Sequence, residues 1–545
     1  MRRRATGPIS FRATRLALAT ALLASLAGCL RHESVVDQGN RTGVLHRGLG
    51  HDLADLDPHL ATQASDYDVL SALLEGLVAE DPVDLHPVPG VAERWEISAD
   101  RTTYTFFLRA SARWSNGDPV TAQDFIASWR RVLTPALGAD NANLLYVIQG
   151  AEAFHKGLGD FQQVGLAAPD ARTLRVTLEH PTPYFLPMLN HTAWFPVHLP
   201  TVQKYGSATE RGNPWAQPGR FVGNGPFVLE KWRRSQEIVV TKSPTYWDAA
   251  RVRLAGVTFH TIDSVDAEER AFRAGQLHLT ASLPPGKIAA YRQASPSVLR
   301  IDPLLATYFY RLNVRRPLLN DVRIRRALAL AVDRDAIVGK ILRGGQLAAR
   351  AFTPPGTAGY ASAASLPTDF AQARALLADA GYPGGRGLPP FELTFNSSET
   401  HRVIAEAVQE MWRRELGVET RLANQELKST LEARRAGNFS ILRSVWNADY
   451  VDPSSFLDIW RTDSGNNYTG WSNPAYDSLL FQAARTVDAA ERNALFQKAE
   501  ALLLDEAPMI PIYHYTHVYL CQPSVRGWHP TLLDHHPYRD VWLQE

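Results

Sequence analysis

After residue 42 the chain alternates short runs rich in aromatic and β-branched side chains with stretches whose apolar residues recur at helical spacing. Such alternation predicts a mixed α/β architecture. Strands are expected at Thr103–Leu108, Leu174–Leu178, Glu237–Thr241 and Phe391–Phe395, and Ile512–Leu520 alternates in the same way. Helices are expected at Val322–Val332, at Asp369–Leu377 and at Arg402–Leu416, the last stopped by Gly417. Pro/Gly-rich stretches at Thr353–Gly356 and Pro383–Pro390 read as surface loops. At ~150 residues per domain, the 545 residues hold more than one core, and no internal repeat divides them.

Charge excludes one large class of partner. Lys and Arg total 57 against 56 for Asp and Glu, far from the basic excess that counterion release on nucleic acid requires, so no nucleic-acid partner is expected. The 13 Trp supply core mass or the walls of a binding cleft.

The N-terminus addresses the chain. Arg2, Arg3, Arg4, Arg12 and Arg15 precede an apolar run from Leu16 to Leu26 with no acidic residue, which is the pattern of a secretory signal. The run is too short to span a bilayer as a mature helix. It ends in Leu26-Ala27-Gly28-Cys29, which resembles a bacterial lipobox, and the resemblance implies cleavage before Cys29 and acylation of its thiol. Loss of residues 1–28 removes five arginines and no acid, turning a formal +1 into −4. The mature chain would then be held to a bacterial membrane by a lipid anchor, facing the periplasm or the extracellular side, with residues 29–42 as a polar tether. With Cys29 lipidated, Cys521 has no partner, so no disulfide is expected and Cys521 reads as a buried, inert thiol.

A search for catalysis is negative. No Gly-x-Ser-x-Gly elbow, His-Glu-x-x-His or phosphate-binding Gly-rich loop occurs. His514 and His517 stand three apart on an alternating strand and so face opposite sides; with His535-His536 they are read as structural or surface histidines. No metal, cofactor or catalytic residue is expected.

Three longer segments are more specific. Glu75-Gly76-Leu77-Val78 leads through Pro89–Trp95 and Tyr104–Arg109 to Trp114–Phe125 and Ser128-Trp129-Arg130-Arg131. Asn313, Asn320–Leu328 and Ala331-Val332-Asp333-Arg334 follow. Trp446-Asn447-Ala448-Asp449-Tyr450-Val451-Asp452-Pro453-Ser454-Ser455-Phe456 is the third. In this order they resemble the extracytoplasmic solute-binding proteins of peptide ABC importers, bacterial family 5, and the last is similar to the ligand-site motif of the oligopeptide-binding subgroup. The resemblance implies a two-lobed, hinged periplasmic-binding-protein fold with an extra domain. It divides the chain into lobe I at 43–75, 200–300 and 518–545, the extra domain at 76–199, and lobe II at 301–517. It implies a monomeric, non-enzymatic protein that takes peptide into the cleft, closes over it and delivers it to ABC importer permease subunits.

The resemblance also assigns roles. Asp449, bracketed by Trp446 and Tyr450, corresponds to the carboxylate that meets the ligand α-ammonium. Arg443 and Arg434 match positions that meet a short ligand's carboxylate, and His401 one that serves a longer ligand. Ala64 and Tyr515 align with cleft positions. Departures leave the ligand open: the acidic cleft residue expected of the family falls on Thr62, a tyrosine on Asn141, an aromatic on Leu427 and a cysteine on Asn447. A dipeptide, a murein peptide or a nickel chelate stays an alternative ligand, and an exported hydrolase an alternative class.

Overall fold

The computed structural model describes residues 33–545; the segment read as a signal sequence and Cys29 lie outside them. A four-stranded sheet places Val44–Gly48 parallel to Gly256–His260, followed by the antiparallel strands Glu237–Lys242 and Phe227–Arg233. A second, antiparallel sheet runs in the order Ala92–Ile97, Thr103–Leu108, Thr173–Thr177, Leu166–Asp170. Thr103–Leu108 forms there because Tyr104, Phe106 and Leu108 alternate into the core. The neighbouring helix Ala122–Leu133 starts at a capping box in which Thr121 and Asp124 satisfy each other's backbone. These two sheets share one apolar core, which includes Leu45, Val257, Phe106 and Trp129.

A second large core is built on a six-stranded sheet ordered Leu347–Ala348, Met509–Leu520, Leu299–Leu312, Ile441–Asn447, Phe391–Asn396, Thr420–Gln425. The helix expected at 402–416 begins three residues earlier, at Glu399, and ends as expected at Gly417, whose φ of 67° closes the last turn. The other expected helices form at Val322–Leu330 and Phe370–Asp379, capped by Asp321 and Asp369. The chain is thus α/β and multi-domain, with strands assembled from distant segments.

Two long antiparallel strands carry the chain between the bodies. At one end Leu299, Ile301, Val518 and Leu520 pack in a small cluster with Phe272, Leu277, Leu283 and Ile288. At the other, Leu305, Tyr308, Phe309 and Ile510 belong to the second core. The ladder shifts register after Pro303 and before Thr307, and again between Tyr308 and Phe309, irregularities of the kind that bend a strand.

One expectation is corrected. The stretch ending at Thr42 is not a tether throughout, because Val35–Thr42 is a helix capped by Ser34 Oγ on the Asp37 N–H and closed by Gly43 at φ 75°. It docks through Gly39, where a Cβ would stand 2.6 Å from the His278 ring. Cys521 is buried, and burial pushes its thiol up to about 11.

Candidate functional site

The strand Ile441–Asn447 is paired along its whole length on one side, from Leu312↔Ile441 to Ala306↔Asn447. On its other side it pairs with Phe391–Asn396 only at Leu393↔Ile441 and Thr394↔Leu442. From Arg443 to Asn447 one edge is therefore open, and its outward N–H and C=O groups have no strand partner among the described residues. An open edge next to a broad sheet is a template for an added strand.

Alternate residues of this strand serve two faces. On one, Arg443 donates to Asn396 Oδ1 at 3.2 Å and to Tyr515 Oη at 3.0 Å, and its guanidinium lies 4.8 Å from the Tyr308 ring. No carboxylate meets it among the described residues, and its Nε is buried without a partner. His401, in the first turn of the helix Glu399–Leu416, stands 5.6 Å from Tyr308, ring to ring. Burial and the Arg443 charge push His401 down to about 3, so the ring is neutral, and its Nδ1 is also unpartnered. Arg443, Tyr515 and His401, drawn from three distant segments, thus converge.

On the other face Trp446 donates from Nε1 to Ser455 O at 2.6 Å, fixing the turn that follows. Asp449 donates its backbone N–H to Ser455 Oγ at 2.9 Å. Its carboxylate makes no hydrogen bond and no ion pair among the described residues, and burial alone pushes it up to about 7. The turn is held instead by Asp452, which accepts from the Ser454 N–H at 2.9 Å and pairs with buried Arg492 at 2.6 Å.

The remaining expected residues are dispersed. Tyr450 is 6% exposed and stacks on Tyr184. Arg434 lies 4.7 Å over the Tyr468 ring. Ala64 opens the helix Ala64–Leu73, behind Thr62 and Gln63, whose N–H groups donate to Asp66 Oδ2. Asn141 donates to Ala61 O, Leu427 is 52% exposed and Asn447 is exposed at the open edge. His514 meets Thr307 Oγ1, whereas His517 meets Asp534 and Ala281 O, so the two rings engage different partners. A cavity of about 50 Å³ lies elsewhere, beside Glu75, Glu80 and Arg539, and none of the expected site residues lines it. Sequence reasoning missed the open edge and Arg311, which faces Ser444 on the Trp446 side. The alternation around Tyr308 and Tyr310 signals a strand but not what covers it.

A family model described as bacterial extracellular solute-binding proteins, family 5 middle, matches residues 86–468. The chain is 36% identical over 495 residues to the periplasmic oligopeptide-binding protein OppA of Escherichia coli, which covers 89% of each chain. It is 38% identical over 485 residues to the probable deoxycholate-binding periplasmic protein YgiS of Escherichia coli, covering 88% of this chain and 89% of the other. The fold superposes on the murein tripeptide-binding protein MppA of Escherichia coli with a TM-score of 0.82 and 35% identity, over 92% of this chain and 98% of that one.

Proposed function

The chain belongs to the bacterial extracellular solute-binding proteins of family 5, and from that premise we propose that it captures extended peptides and delivers them to an ABC permease without turnover. The observation that carries this reading is Asp449, a half-buried carboxylate without a cation, two residues beyond an open strand edge. A peptide added along Arg443–Asn447 gains backbone hydrogen bonds that do not depend on its sequence, while its α-ammonium meets Asp449. Its carboxylate meets Arg443, and neutral His401 donates to that of a longer ligand.

The relatives named for oligopeptide, murein peptide and deoxycholate leave the ligand class to be chosen on this chain's own residues. Deoxycholate is an anion without an amine, so it leaves Asp449 uncompensated; a peptide does not. The mature protein is a monomer anchored through acylated Cys29. Binding draws the two bodies together about the register shift between Pro303 and Thr307, a hinge closure that ligand contacts to both bodies stabilise. Native mass spectrometry of the protein as purified tests the reading directly. Peptide masses released on denaturation support it, and a bile acid or a chelate in their place overturns it.

A further inference from the structure

Arg311 is 1% exposed, yet no carboxylate pairs with it among the described residues. Its Nε donates to Ser444 Oγ at 3.1 Å and its Nη1 to Asn466 O at 2.9 Å, and its Nη2 has no partner among the described residues. Arg334, equally buried, shows the alternative: its Nε, Nη1 and Nη2 all donate to backbone carbonyls, of Pro511, Val332 and Ala329. The Arg311 guanidinium is surrounded instead by the rings of Phe309, Trp460 and Tyr468, at 5.0, 5.2 and 5.4 Å. Arg434 lies over the same Tyr468 ring at 4.7 Å, its Nε buried and unpartnered. Two guanidinium groups thus share one tyrosine with no anion between them. Burial and the neighbouring Arg434 charge push Arg311 down to about 9. Unpaired buried charge is costly, and an arriving anion relieves it.

The pair also has a place in the site. Arg311 bonds Ser444, which shares a strand face with Trp446, whereas Arg443 points from the opposite face. A strand added at the open edge sends alternate side chains to the two faces. At no more than ~3.6 Å per residue, Ser444 lies within roughly 18 Å of Asp449 along the chain, the reach of the first few residues of a peptide anchored there.

We propose that Arg311 and Arg434, bridged by Tyr468, form a subsite for a carboxylate carried on a side chain among the first few residues of the ligand, so that the protein prefers acidic peptides. This rests on the peptide reading above and adds a substrate class to it. The test is calorimetry on tetrapeptides of alanine with Glu or isosteric Gln at each position in turn, each with a free and an amidated C-terminus. Wild type should bind the Glu member at least tenfold more tightly at one position, about the yield of one charge-assisted bond, and amidation should leave that ratio unchanged. Arg311→Gln should reduce the ratio to within threefold while leaving the Gln peptides unaffected. If Arg311→Gln does not fold by circular dichroism, Arg434→Gln, which alters a less buried residue, must lower the ratio instead. Equal binding of Glu and Gln at every position by wild type overturns the subsite but not peptide binding. Binding of no peptide in the set overturns both. An Arg311-dependent loss on amidation, with Glu and Gln equal, assigns the pair to the α-carboxylate and overturns the side-chain proposal.

Discussion

Tyr184 and Tyr450 lie face to face, their ring centroids 4.9 Å apart and their planes within 3° of parallel. Tyr184 belongs to the core shared by the first two sheets, and Tyr450 follows the open strand of the third. The stack therefore joins the two bodies beside the proposed ligand edge. A stacked aromatic pair contributes about 0.5–1.5 kcal/mol beyond its buried area. Tyr184→Ala should accordingly weaken peptide binding by roughly two- to twelvefold and enlarge the radius of gyration seen by small-angle scattering, with added peptide restoring part of the compaction. Unchanged affinity and radius would remove the stack from the closing mechanism.

The buried pair of Arg492 and Asp452 underlies that contact, since the same Arg492 lies 5.3 Å from the Tyr184 ring. Arg492→Met strands a buried carboxylate, which costs about 3–5 kcal/mol of stability. The double variant with Asp452→Asn should recover most of that loss. Thermal unfolding of the two variants distinguishes the ion pair from simple loss of packing, for which the double variant would be no better than the single.

Much of this architecture was legible in the sequence because the signals were local. Gly417 after an apolar period of 3.6 marked the end of a helix, and the alternation in Thr103–Leu108 marked a strand with one buried face. The helix Val35–Thr42 was less visible: its Val, Asp, Gly, Asn and Thr are weak helix formers, and only Val36 and Gly39 are buried. Its Ser34 cap and Gly43 stop were nonetheless present. Asp449 was legible through its motif, whereas Tyr450, adjacent in the same motif, turned out to face Tyr184, more than 260 residues away in sequence. Arg311 was not legible, since its solitude is decided by Ser444, Asn466 and Tyr468, whose approach no local pattern encodes.

The Asp449 carboxyl, held near pH 7 instead of its usual acidic range, gives ligand binding a pH signature. Without ligand the proton remains on the carboxyl below about 7; an α-ammonium requires the ionised form. Binding at pH 6 should therefore release about one proton, and affinity for free-amine peptides should fall about tenfold per pH unit below 7. At pH 8 Asp449 should release none. The same shift makes the ligand-free fold bind this proton more tightly than the unfolded chain, so the group's stabilising contribution is present below about pH 4 and is lost as pH rises through 7. Calorimetry in two buffers of different ionisation heat measures the proton; no release at pH 6 in wild type would show that Asp449 is already ionised.

Anchoring is tested at Cys29. Cys29→Ser removes the thiol that the Leu26-Ala27-Gly28-Cys29 reading acylates, and because one acyl chain holds a protein only marginally, the wild type should carry more than one. Fractionation should move the variant from membrane to soluble fraction, and mass spectrometry of wild type should show an acylated N-terminal cysteine. A membrane-bound, normally processed variant would reject the lipid anchor while leaving peptide binding intact.

The strongest test of the peptide reading pairs Asp449→Asn with N-acetylation of the ligand. The substitution preserves size and the backbone N–H bond to Ser455 Oγ, but removes the charge. Losing one partner of a buried charge pair costs about 2–5 kcal/mol, so free-amine peptides should lose roughly thirtyfold or more in affinity. Acetylated peptides bring no cation; they should bind wild type poorly and lose little more on mutation. Because Asp452, and not Asp449, holds the turn through Ser454 and Arg492, general damage to the fold should not follow, and the double cycle isolates the charge pair. Equal losses for the free and acetylated forms would mean that Asp449 meets no ammonium, and the orientation proposed for the peptide along the open edge would have to be abandoned.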